Sequence, residues 1–204
     1  MGAQEPVDDV RRVCAIAEKL QGVAGVRADL NARWDRLTSL RHLPALAAAD
    51  VELVEQTVPG AEVEWLAEIN RVLPIPAMAD ESLRTPSDAF RLASLRAADV
   101  FSLKTAKSGG LHATVAIASI AAAAGIPCHG GTSIESPVGT AASLHLACAA
   151  PAVTWGSELF GPLLMREELL TTPLRYSGGD LHLPDGPGLG IEPDPAAVAA
   201  FTRR

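Results

Sequence analysis

The sequence predicts an α/β protein, the greater part of a parallel βα barrel, and three observations carry that expectation. Six short apolar runs each end in a polar residue. Stretches with helical periodicity lie between them. The polar ends also recur at a nearly constant period: 26 residues from Asp29 to Glu55, 25 to Asp80, 24 to Lys104, 25 to His129 and 29 to Glu158. Short apolar runs without clean alternation suit strands of a parallel sheet covered on both faces. Strand–helix alternation means βα units. A constant period places one polar group at the C-terminal end of each strand, and in a barrel those ends converge on one rim. A doubly wound sheet would spread them along a line and use mainly its switch point.

The elements follow in order. Residues 7–20 read as a helix with Val10, Val13, Cys14 and Ala17 on one face. Strands are expected at 23–29, 51–55, 75–80, 100–104, 126–129 and 153–158. Between them, 34–48 carries Leu37, Leu40 and Leu43 at helical spacing, and 62–71 carries Trp65, Leu66 and Ile69. Residues 86–97 open with proline at a first-turn position, and 110–124 and 137–149 complete the helices. Beyond 159–170 lies a Gly/Pro-rich tail, 177–195, with a hairpin expected at Ser177-Gly178-Gly179-Asp180. A full barrel has eight strands and six are legible, so the other two are expected before Met1. The expected fold is a partial TIM-type barrel, with 1–170 as its barrel part and 171–204 as a C-terminal tail.

Composition narrows the function. The 204 residues hold 17 Lys+Arg against 24 Asp+Glu, a net charge of −7, which argues against a nucleic-acid partner. Residues 108–134 and 136–157 carry no formal charge, yet they are rich in Ala, Ser and Gly and are broken by His112, Pro127, His129, Pro137 and Pro151. Ala and Gly contribute little to membrane transfer, so no membrane span is expected. Cys14, Cys128 and Cys148 are an odd number without metal-ligand spacing, and the polar, acidic opening is no signal peptide. A cytoplasmic protein is expected.

The polar strand ends carry the chemistry. Asp29, Glu55 and Asp80 lie on three consecutive strands, and adjacent strands are about 4.8 Å apart. Three like charges at one level raise one another's pKa, a penalty that a divalent cation removes. All-oxygen ligation suits Mg²⁺ or Mn²⁺ rather than Zn²⁺. The alternative is that each acid caps a helix or binds an arginine. Lys104 follows on the next strand, one of only three lysines against fourteen arginines. Its amine is a candidate acid/base, the alternative being a salt bridge to Asp80. Lys107 reads as a solvated surface residue. Glu158 would orient an amine or hold substrate, with helix capping the alternative, and His129 receives no role.

Five segments carry a resemblance: 27–34 (RADLNARW), 54–56 (VEQ), 78–82 (MADES), 103–110 (LKTAKSGG) and 158–162 (ELFGP). Together with 129–135 (HGGTSIE) and 186–190 (GPGLG), they are similar to the muconate-lactonizing subgroup of the enolase superfamily, nearest its muconate and chloromuconate cycloisomerases. The resemblance implies that Asp29, Glu55 and Asp80 bind Mn²⁺ or Mg²⁺, which would hold one carboxylate of a small dicarboxylate substrate and stabilise an enolate during lactonization. It implies that Lys104 faces that substrate and that Glu158 is the acid of the last barrel strand. It also implies a homo-oligomer at full length. Family members carry Lys-x-Lys just before the helix that opens this chain, and an N-terminal cap domain before that; neither matches anything here. Activity of the chain alone is therefore not expected. Acylamino-acid racemases, succinylbenzoate synthases and dipeptide epimerases share the metal triad and paired lysines, but no Asp-x-Asp pair of the epimerase kind occurs here. A non-catalytic remnant is the alternative of another class.

Overall fold

The computed structural model describes residues 1–201. Six strands follow one another in chain order: β1 (Arg27–Asp29), β2 (Leu53–Glu55), β3 (Ala77–Ala79), β4 (Val100–Leu103), β5 (Cys128–Gly130) and β6 (Val153–Ser157). Each coincides with an expected run, but four of them begin later than expected. Val51 and Ile75 are buried yet lie outside the ladders. Burial follows apolarity, whereas a strand also needs a hydrogen-bonded neighbour. Val23 departs further, being 79% exposed in the turn that follows the first helix.

Two compact units divide the chain, and the first comprises Met1–Ser102 with Ala123–Pro127. Here β1 pairs with β2, β2 with β3 and β3 with β4, all parallel. The helices are α1 (Pro6–Leu20), α2 (Arg36–Ala48), α3 (Val63–Val72) and α4 (Pro86–Leu95). On α1, Val13 and Ala17 are buried, while Val10 and Cys14 are only half-buried. On α2, Leu43 and Leu46 enter the core, whereas Leu37 stays in solvent. Three-residue steps fall short of the 3.6-residue turn, so Leu37 drifts off the buried stripe. Leu66 and Ile69 of α3 and Leu92 of α4 complete that layer.

Caps and ion pairs fix where these helices begin and how they neighbour one another. The Asp35 carboxylate accepts the Thr38 N–H at 2.7 Å, ending the β1 loop. Before α4, Thr85 and Asp88 form a reciprocal capping box, with Pro86 in the first turn. Arg36 reaches from α2 to Glu68 of α3 at 2.6 Å, and Arg91 of α4 reaches Glu64 of α3 at 2.7 Å.

The second unit comprises Leu103–Ala122 and, among the described residues, those from Cys128 to Phe201. It holds α5 (Leu111–Ala124) as far as Ala122, the parallel pair β5–β6 and α6 (Pro137–Ala149). Its tail turns at Gly178-Gly179, both at positive φ, between β7 (Tyr176–Ser177) and β8 (Asp180–Leu181), as the sequence indicates. The tail is packed rather than loose. Leu170 and Leu174 bury against Ala141 of α6, with Tyr176, Leu181, Leu189 and Ile191 around them. The Tyr176 hydroxyl donates to the Leu159 carbonyl at 2.7 Å. A short closing helix, α7 (Pro195–Phe201), is absent from the sequence expectation. No helix among the described residues is long and apolar enough to cross a membrane.

Candidate functional site

Asp29 is the last residue of β1 and Glu55 the last of β2, and the parallel register sets them side by side. Glu55 in turn lies opposite Met78, two positions before Asp80, which follows β3 directly. Paired residues of neighbouring strands point to the same face. The expected order of three carboxylates on three consecutive strand ends is therefore present in the backbone. Asp80 is only 5% exposed; Asp29 and Glu55 are half-buried.

The loops after β1 and β2 are tight. Asn31, Ala32 and Gln56 all take positive φ, a region that favours glycine. In the first of these turns the Asp29 carboxylate folds back and accepts both the backbone N–H of Asn31, at 2.8 Å, and its side-chain amide. Among the described residues, no three His, Cys, Asp or Glu side chains stand grouped as a metal site. The donor set is nonetheless that of a hard divalent cation: carboxylates only, with no sulfur or imidazole. Strand register and donor chemistry fit such an ion, and Asp29 would have to leave Asn31 to join it.

Lys104, His129 and Glu158 belong to the second unit. Lys104 follows β4 and Glu158 follows β6, each one residue past its strand. His129 lies within β5 and is buried. Its Nδ1 stands 3.2 Å from the Trp155 carbonyl, which fixes that nitrogen as the N–H donor. Its Nε2 stands 3.9 Å from Glu158 Oε1, an ion-pair separation rather than a hydrogen bond. The His129 ring holds the Glu158 carboxyl below the usual carboxylate range; the Lys104 charge and the Thr132 backbone N–H help, and burial opposes them. These neighbours favour the ionised form of Glu158. The sequence left His129 without a role, and the structure gives it a partner at each nitrogen. Next to it, burial pushes the Cys128 thiol up to about 12, so this cysteine is no nucleophile.

Around Glu158 the loop 131–135 is held at close range. Thr132 Oγ1 donates to Glu135 Oε2 at 2.5 Å and accepts the Ile134 N–H at 2.9 Å, and Ile134 takes positive φ. The Glu135 backbone lies against Gly161, in the short 3-10 turn Gly161–Leu164 that follows Glu158.

Consecutive parallel βα units with acidic residues at their C-terminal ends define a protein of the βα-barrel class. Within it, the chain belongs to the enolase C-terminal domain-like family, whose model matches residues 1–197. Muconate cycloisomerase 1 of Rhodococcus opacus is 57% identical over 203 residues, which are 100% of this chain and 54% of that protein. Chloromuconate cycloisomerase of Pseudomonas putida is 39% identical over 203 residues, 100% of this chain and 55% of its own. A solved muconate lactonizing enzyme from Pseudomonas fluorescens, complexed with muconolactone, is similar at a TM-score of 0.95 and 41% identity, over 100% of this chain and 55% of that one. The fold class is accordingly α/β, a partial TIM-type barrel. The chain spans about half the length of the curated relatives it matches. Membership of this family implies a divalent metal.

Proposed function

We propose that the chain is the metal-binding barrel part of a muconate or chloromuconate cycloisomerase, an isomerase that closes cis,cis-muconate to a lactone. The observation that carries the reading is the Asp29–Glu55 register, with Asp80 following on the next strand, in a chain 57% identical to a muconate cycloisomerase. Asp29, Glu55 and Asp80 would hold Mn²⁺ or Mg²⁺. When bound, the cation supplies Lewis-acid stabilisation of the negative charge that develops on the substrate's carboxylate. In the reaction one carboxylate oxygen of muconate adds to the substrate's own double bond. The displaced electron pair moves to the carbon beside the other carboxylate, and that carbon takes up one proton. Lys104 is a group of this chain able to hold or move a proton there, and Glu158, ionised between His129 and Lys104, orients its amine.

Residues 1–170 are read as part of the barrel domain, and 171–204 as the tail that returns to a cap domain in the family. The full-length protein is proposed to be a cytoplasmic homo-oligomer. The test follows muconate ultraviolet absorbance with Mn²⁺-loaded protein, in this chain and in a longer one extended upstream through Lys-x-Lys and the cap. We expect turnover from the longer chain and at least about 10²-fold less from the shorter, the range of a positioned acid/base. Absence of turnover in the longer chain would refute the assignment. Equal turnover by both would show that Lys104 suffices.

A further inference from the structure

Gln56 carries neither a charge nor a titrating proton, yet it contacts the chain at or just after the ends of all three carboxylate strands. The residue is 1% exposed. The amide oxygen accepts the Asp80 N–H at 2.9 Å, the Ser82 N–H at 3.2 Å and the Ser82 hydroxyl at 2.8 Å. The amide nitrogen donates to the Val58 carbonyl at 2.9 Å. Its backbone N–H donates to the Met78 carbonyl, and its own carbonyl accepts the Ala32 N–H at 2.8 Å. The amide cannot be turned over without setting its NH₂ against two backbone N–H groups, so this orientation is fixed by its partners.

We infer that Gln56 is the positioning residue that sets the spacing of the Asp29, Glu55 and Asp80 strand ends. It is bonded to Glu55 through the chain and fixes the Asp80 backbone through its side chain. Through its carbonyl it also ties down the turn whose Asn31 grips the Asp29 carboxylate. Its φ of +35° is a conformation that a side chain such as glutamine rarely adopts and that persists only where surroundings over-determine it. A glutamine needed only to fill space would not require that backbone. The network holds main-chain positions at or just after three strand ends, and fixing the backbone in this way keeps the spacing of a site. The inference rests on the carboxylate reading of the metal site, and the test separates the two.

Mn²⁺ is titrated into the purified chain, with free and bound ion followed by electron paramagnetic resonance, for wild type, Asp80→Asn, Gln56→Met, Ser82→Ala and Leu43→Ala. Asp80→Asn removes a ligand and is expected to lose binding. Gln56→Met keeps the volume but none of the side-chain hydrogen bonds. It should weaken Mn²⁺ binding by about 10- to 100-fold and alter the bound-ion spectrum, with far-UV circular dichroism unchanged. Ser82→Ala, which deletes one of the donors, should weaken it by roughly fivefold. Leu43→Ala destabilises the core of α2 without removing any hydrogen bond of the network and should leave the affinity within about twofold. Binding lost in Asp80→Asn but kept within about twofold in Gln56→Met overturns the inference alone. Should Gln56→Met fail to fold, unchanged affinity in Ser82→Ala overturns it in the same way. No binding by wild type, or full binding by Asp80→Asn, overturns the carboxylate reading and the inference with it.

Discussion

Gly161→Ala is the substitution whose cost the structure dictates most directly. A Cβ on Gly161 would lie 2.3 Å from the Glu135 carbonyl oxygen, 2.9 Å from the Glu135 nitrogen and 3.0 Å from the Ile134 carbonyl carbon. Ordinary contact begins at 3.4 Å, so the closest of these falls short by about 1.1 Å. All three atoms are backbone, which no rotamer change can move. Relief requires the 131–135 loop or the Gly161 turn to shift as a body. The Thr132–Glu135 and Thr132–Ile134 hydrogen bonds resist that shift. Overpacking of this kind costs typically about 1–3 kcal/mol. For a chain of this length each kcal/mol lowers the melting temperature by roughly 2–4 °C, so a fall of about 2–12 °C is expected. Differential scanning calorimetry measures it, with Leu163→Ala on the exposed side of the same turn as the control. A melting temperature within about 1 °C of wild type would mean that the loop yields freely and that the close fit at Gly161 does not constrain it.

Three further outcomes follow from the same structure. Mn²⁺ should raise the melting temperature of the wild-type chain and leave Asp80→Asn unmoved, because a ligand that prefers the native state stabilises it; an equal rise in the variant would put the ion elsewhere. Glu158 has a lowered folded-state pKa, so its stabilising contribution is present above the usual carboxylate value of 4.5 and fades as pH falls through the lowered one. With 48% of its side chain exposed, screening limits that contribution to at most about 1 kcal/mol, and the stability gap between wild type and Glu158→Gln should close in acid urea titrations; a gap that widens there reverses the sign. Thr85→Ala removes one half of the α4 capping box and should cost about 1 kcal/mol in urea denaturation, unless another group takes the Asp88 N–H.

The fold was legible because its signals were local and repeated. Asp29, Glu55, Asp80, Lys104 and Glu158 each end a strand or follow it by one residue, and that is what the 24- to 29-residue period reported. Pro86 and Pro137 marked helix starts for the reason proline suits a first turn. Strand beginnings were not legible. Ile75 and Val51 are as apolar as the residues that follow them, and nothing in their chemistry says where a neighbour's ladder starts. Leu37 misled for a related reason, since a count of leucines at three-residue steps ignores the drift of the stripe.

The candidate site divides along the same line. Residue types and their order along the chain name the carboxylates, but not what grips them. Glutamine at position 56 is one polar residue among many in sequence; its meaning comes from Asp80, Ser82 and Val58 closing on one amide, contacts made 24, 26 and 2 residues away. His129 is similar. As a residue at a strand end it has many uses, and its use is set by the Trp155 carbonyl on one side and Glu158 on the other, both on β6 or directly after it. A carboxylate can be found from its charge, because burying charge is costly and demands a reason. The neutral groups that position it carry no such demand until the partners are known. Gln56 and His129 are therefore residues whose replacement should change how the Asp80 backbone and the Glu158 carboxylate are held.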